Sequence, residues 1–269
     1  MTGPTSDRLA ELRAAGVSIW LDTLSRDLLD SRDFEGLVRH SSVTGATSNP
    51  TIFAKAITGS DLYDKQLREA SETGTSDLQQ LFFTLALDDI RQAAGVLRAT
   101  YEQTGGVDGF VSFECTPDLA NDTAATIAQA QELWARLSLP NVLIKVPATA
   151  AGVGAIEELT HRGVNVNVTL LFSIERYEQV IEAYLKGLER RHADGQSLAG
   201  LASVASFFVS RVDTKADAVL ASGSPSRGRV AIANAEIAYA RFCERFSGPR
   251  WRTLEQAGAS VQRPLWAST

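Results

Sequence analysis

The chain is poor in sulfur and in histidine, with two cysteines, one methionine and three histidines in 269 residues. Cys115 and Cys243 lie far apart and in no CxxC run, which excludes a disulfide framework and a thiolate zinc site and fits a reducing cytoplasm. His40, His161 and His192 lie in polar surroundings with no partner at metal-ligand spacing. They are expected on the solvated surface, and no metal is expected. No apolar run reaches the ~18 residues of a membrane span, and the opening MTGPTSDRLAEL holds no apolar signal core, so no membrane partner is expected. Neither GxGxxG nor GxxxxGK[ST] occurs, and the TGG at 104–106 falls in a loop; no cofactor is indicated. Basic charge is also short, 26 Lys and Arg against 32 Asp and Glu, which argues against a nucleic-acid partner while leaving room for a local phosphate pocket.

What remains is an ordinary globular composition, 44% apolar and 22% charged, with no internal repeat and no low-complexity tract. One domain over 1–269 is expected, and a homo-oligomer is compatible with it. Seven short β-rich runs, 17–22, 43–47, 109–114, 141–146, 164–169, 202–207 and 260–265, alternate with helical stretches, the pattern of an α/β fold with parallel strands. Ser173 is placed to cap a helix over 173–190 whose Ile174, Tyr177, Ile181, Tyr184 and Leu188 form one buried stripe. A second stripe, Ile232, Ala235, Tyr239, Phe242 and Phe246, is expected to be buried on 227–246, and a long helix covers 76–101. SGSPSRG at 222–228 reads as a loop.

A doubly wound sheet and a closed barrel both fit this alternation, and the period-2 pattern within the strands separates them. VNVNVT at 164–169 sets Val164, Val166 and Val168 on one face and Asn165, Asn167 and Thr169 on the other. An apolar outside and a polar inside belong to a (β/α)8 TIM-type barrel, here with about seven readable strands. Each inner face also closes on a polar group: Asp22 after Ser18 and Trp20, Asn49 after Gly45 and Thr47, Glu114 after Phe110 and Ser112, Lys145 after Leu143, and Ser206 between Val204 and Phe208.

Lys145 stands between Ile144 and Val146, where a lysine is ordinarily avoided. One reading is an edge strand whose ammonium snorkels to water. The other is a desolvated amine, which attacks carbonyls and whose Schiff base acts as an electron sink, so a carbon–carbon bond breaks without a metal. That chemistry needs a base for the substrate hydroxyl and an acid to expel water; Asp22 and Glu114 are available, and either can instead serve as a partner for the lysine charge. Asn49, Asn167 and Ser206 offer hydrogen bonds for sugar hydroxyls, and Arg211 offers a fork for phosphate.

The runs TGATSNPTIF (44–53), LIKVPAT (143–149), NVNVTLLFS (165–173) and ASFFVSRVDT (205–214) resemble bacterial transaldolases, and IWLDTLSRDLL, VSFE and IANAEIAYARF extend the likeness over nearly the whole chain. The resemblance implies that Lys145 is the Schiff-base lysine and Asp22 the acid/base of carbon–carbon cleavage. It also implies that Glu114 and Thr169 position the catalytic water, and that Asn49 and Asn167, supported by Thr47, bind the dihydroxyacetone portion. Ser206 and Arg211 would hold the distal hydroxyls and phosphate, with Phe208 lining the site. The implied reaction moves dihydroxyacetone from sedoheptulose 7-phosphate to glyceraldehyde 3-phosphate, giving erythrose 4-phosphate and fructose 6-phosphate. The alternatives are a fructose-6-phosphate aldolase that releases free dihydroxyacetone, for which a glutamine and a tyrosine would replace Glu114 and Phe208, and a catalytically incompetent barrel. The resemblance also implies an eighth βα unit after RPLWAST, so the domain is expected to be incomplete at its C-terminal side.

Overall fold

Helix ends are set by caps that the sequence supplies. The computed structural model describes residues 4–48, 50–72 and 77–268, which fall into two compact units: residues up to Glu114 with Arg136–Val142, and Cys115–Ala135 with the chain from Leu143 onward.

In the first unit the order is α1 (Pro4–Ala14), β1 (Ile19–Leu21), α2 (Arg26–Asp30), α3 (Asp33–His40), β2 (Val43–Thr47), α4 (Pro50–Thr58), α5 (Asp64–Glu72), α6 (Leu78–Gln103) and β3 (Phe110–Glu114). The strands are parallel, with Trp20 beside Gly45, Gly45 beside Phe110 and Thr47 beside Ser112. Asp77 caps α6 by accepting from the Gln79 and Gln80 amides, and Phe83, Leu87, Ile90, Ala94 and Leu97 form its buried face. Gly105 and Gly106 follow at φ of 63° and 80°, so the TGG run is a helix stop, a left-handed turn that glycine enters without steric cost.

The second unit carries α7 (Thr123–Leu137), β4 (Val142–Pro147), α8 (Ala150–His161), β5 (Val166–Leu171), α9 (Ile174–Ala193), β6 (Ser203–Phe208), α10 (Ser210–Val219), α11 (Val230–Arg245), α12 (Pro249–Gln256) and β7 (Gln262–Ala267). Its strands pair in parallel, each with the next in the chain. Ser173 accepts from the Arg176 amide to start α9, and Tyr177, Ile181, Tyr184 and Leu188 are buried on one stripe. In a doubly wound sheet a later strand crosses to the far side of an earlier one; within neither unit does this happen. The fold class is α/β of the TIM-barrel type, and the seven strands among the described residues begin and end within two residues of the limits expected from sequence.

Two expectations are corrected. The stripe on α11 is only partly buried: Phe246 is buried and Ala235 and Phe242 are half-buried, but Ile232 and Tyr239 are each 52% exposed, and the fully buried contacts of the helix itself are Ala231 and Ala238. Small alanines bring the helix axis close to α9, α10 and β7, which turns the larger side chains outward. Spacing shows which residues share a face, not which face is covered. His161 is not simply solvated either. Its Nε2 lies 2.7 Å from Asp194 Oδ2, and its Nδ1 accepts from Arg190 at 3.1 Å, pinning the end of α8 to the end of α9. His40 and His192 are exposed as expected.

Candidate active site

In the second unit the site is built in layers along the inner faces of the strands. Lys145 stands in register with Asn167, and Ser206 Oγ donates to Asn167 Oδ1 at 2.7 Å. All three are buried, Lys145 at 7% exposure, Asn167 at 0% and Ser206 at 3%. Thr169, buried beside Pro147, lies one inner position further along. Phe208 ends β6, and the Arg211 guanidinium lies 4.6 Å from the centre of its ring. On the opposite, helix-facing side of β6, Ser203 donates to the Val166 carbonyl at 2.8 Å and accepts from Gln262 Nε2 at 2.9 Å, which ties β5, β6 and β7 behind the site.

The backbone around Lys145 is tied on both sides. Its carbonyl accepts from the Cys115 amide at 3.1 Å, the Ile144 amide donates to Asn165 at 2.9 Å, and the Ala148 amide donates to Thr169 at 2.9 Å. The strand then turns sharply into α8, where Thr149 Oγ1 accepts from the Gly152 amide at 2.9 Å. A Cβ at position 152 would collide with the Pro147 carbonyl, so only glycine permits this close turn behind the lysine. A lysine among Leu143, Ile144 and Val146, all fully buried, is costly as structure, and buried titratable groups of this kind concentrate at functional sites.

In the first unit Asp22 lies exposed, one residue beyond β1, while Thr47 and Glu114 are half-buried at the C-terminal ends of β2 and β3. Trp20 covers Gly45, where a Cβ would collide with the indole, and Trp20 Nε1 donates to Asp108 at 3.1 Å. The segment from Asp22 to Ser25 is fixed at its far end. Leu24 is fully buried, and Arg26 Nε donates to Asp89 at 2.8 Å while Nη1 donates to Gln66 at 2.8 Å. Tyr63 donates to the other Asp89 oxygen at 2.7 Å and accepts from the Arg26 amide at 3.1 Å, with the guanidinium 4.2 Å from its ring centre. Burial raises the Asp89 carboxyl above its ordinary value, with Tyr63 and Arg26 pulling it back down. Burial and the bond to Asp89 push the Tyr63 phenol upward, so it stays a donor.

The structure thus brings Lys145, Asn167 and Ser206 together in one unit, with Thr169, Phe208 and Arg211 on the same strand ends or just past them. It sets Asp22, Thr47 and Glu114 at the strand ends of the other. Asn49 lies outside the described residues. The Arg26–Asp89–Tyr63 cluster was missed in the sequence, because its members are up to 63 residues apart and share no local pattern.

Residues 19–266 match the family described as Transaldolase/Fructose-6-phosphate aldolase. The chain belongs to this family. It is 50% identical to a transaldolase from Acidothermus cellulolyticus over 98% of its own length and 72% of that protein. A transaldolase from Thermobifida fusca is 49% identical over 97% of the chain and 72% of that protein. One from Mycobacterium ulcerans is 49% identical, covering 97% and 71% respectively. The Lys145 strand, the Asn167–Ser206 pair and the Arg211 segment therefore lie within a sequence shared with transaldolases. Among the described residues no helix is long and apolar enough to cross a membrane.

Proposed function

We propose that the chain is a transaldolase that transfers dihydroxyacetone from sedoheptulose 7-phosphate to glyceraldehyde 3-phosphate through an imine on Lys145. The observation that carries this reading is a buried lysine in register with a buried asparagine–serine pair on parallel strands, in a chain of this family. Lys145 Nζ adds to the ketose C2 carbonyl, and water leaves as the imine forms. Asp22 removes the proton from the C4 hydroxyl, the C3–C4 bond breaks, and its electron pair moves through C2 onto the imine nitrogen. The aldose departs, C3 of the resulting enamine attacks the acceptor aldehyde, and water releases the new ketose from Lys145. Glu114 and Thr169 position the water in the first and last of these steps.

Asn49, Asn167 and Thr47 bind the dihydroxyacetone portion, Ser206 and Arg211 take the distal hydroxyls and phosphate, and Phe208 lines the chamber. Glutamate at 114 and phenylalanine at 208 favour transfer over release of free dihydroxyacetone. Two free cysteines among the described residues suit a cytoplasmic protein. The test is borohydride reduction in the presence of fructose 6-phosphate, followed by peptide mass mapping. An adduct on Lys145 supports the reading, and an adduct on Lys55, Lys65, Lys186 or Lys215, or on none, defeats it.

A further inference from the structure

Strand β5 contains an irregularity that moves a side chain from one face to the other. Val166 and Val168 face the helices and Asn167 and Thr169 face inward, so strict alternation would put Phe172 with the valines. The register shows otherwise. Val168 lies beside Ala205 but Leu171 lies beside Phe207, so three steps along β5 answer two along β6. This is a β-bulge, one residue too many on one strand. Leu170 absorbs it at φ 61°, a left-handed conformation rare for a bulky residue and common where a site imposes it. Beyond the bulge, Leu171 is fully buried opposite Phe207, which packs against Tyr177 and Trp266 on the helix side.

Phe172 accordingly emerges on the inner side. Its ring centre lies 5.2 Å from that of Phe208, the inner-face residue two positions after Ser206. Its carbonyl accepts from Asn234 Nδ2 of α11 at 2.9 Å, which fixes the backbone where it leaves the bulge. Phe208 in turn carries the Arg211 guanidinium at 4.6 Å. The result is a chain of contacts from Phe172 to Phe208 to Arg211. It holds a flexible arginine by an aromatic ring that is itself held by a second ring.

We propose that Phe172 is a positioning residue for anion recognition: carried inward by the bulge at Leu170, it seats Phe208 and so fixes the Arg211 fork for the phosphate of the sugar phosphate. The inference rests on the assignment of Arg211 as the phosphate ligand. Side-chain ordering of this kind changes affinity for the phosphorylated end of the substrate and leaves the imine chemistry at Lys145 alone.

The experiment compares Phe172→Ala, Phe172→Leu and Phe172→Tyr with the native chain in two measurements. In the first, the concentrations of fructose 6-phosphate and of dihydroxyacetone giving half-maximal borohydride trapping are determined. The expected result for Ala and Leu is a rise of about tenfold for fructose 6-phosphate and none for dihydroxyacetone, with kcat within about twofold and with Tyr restoring the native value. In the second, glucitol 6-phosphate, which has no carbonyl and forms no imine, is titrated calorimetrically and should weaken by the same factor in the same variants. Equal losses for both trapping substrates would mark Phe172 as general packing and overturn the proposal, as would an unchanged glucitol 6-phosphate affinity. Failure of native trapping with a normal glucitol 6-phosphate titration would strike the Schiff-base reading instead and leave this inference standing.

Discussion

The two units hold their candidate residues in opposite ways. In the second, Lys145, Asn167, Thr169 and Ser206 are buried within the strands, so packing and ladder hydrogen bonds fix them directly. In the first, Asp22 is exposed on the segment after β1, and the anchors nearest to it in sequence are buried Leu24 and the Arg26–Asp89–Tyr63 cluster. An attacking amine gains from desolvation, while a carboxylate that must be ionised to accept a proton gains from water. On the roles proposed above, the contrast in burial follows the contrast in task.

The sharpest way to break that contrast is Lys145→Met. It removes the nucleophile and should lower transfer by at least about 10⁴-fold. A coupled assay with fructose 6-phosphate and erythrose 4-phosphate reads the loss, and residual transfer within about 10²-fold of native would mean that another group forms the imine.

Asp22→Ala should cost about 10²–10⁴-fold in transfer, the range of a lost acid/base group. Imine trapping with fructose 6-phosphate and thermal stability should persist, since the side chain is exposed. Loss of trapping would move Asp22 from cleavage to imine formation.

Arg26→Met tests the indirect positioning of the first unit. Removing one partner of a buried ion pair costs about 3–5 kcal/mol, which denaturant unfolding would register, and transfer should slow along with it. The double variant with Asp89→Leu should recover much of that stability but not the rate, because the segment bearing Asp22 would then be packed without being aimed. If the double variant regains full activity, the cluster is structural only.

The smallest effect concerns pH. Hydrogen bonds from Arg162 and Arg190 hold Glu158 below its ordinary value, and one from Arg250 does the same for Glu182. A depressed carboxylate contributes stability above its unfolded value, near ~4.3, and loses that contribution as pH falls through the lower folded value. Melting temperature should therefore decline below pH ~4.3, and less steeply in Glu182→Gln. Equal slopes in the two proteins would show that this pair contributes nothing measurable.

Much of this was legible in the sequence. Strict alternation in VNVNVT, and polar endings on successive apolar runs, announce parallel strands with a chemical inner face, because strand geometry admits only two faces. Lys145 between Ile144 and Val146 is visible as an anomaly of composition alone. What escaped has two physical causes. The bulge at Leu170 breaks the period on which face assignment depends, and no residue type signals a leucine at positive φ. The Arg26–Asp89 pair and the exposed face of α11 are products of tertiary packing, which local periodicity does not encode.

The ties around Lys145 also bear on how the molecule breathes. The amides of Cys115, Ile144 and Ala148 all donate into ladders that meet at this strand. Backbone groups so placed exchange their hydrogens with solvent only when the surrounding structure opens as a whole. Lys145 is thus carried on backbone protected by its ladders, so the attack proposed for its amine does not call on local unfolding, and the proposed passage of sugars would draw on the segments beyond the strand ends.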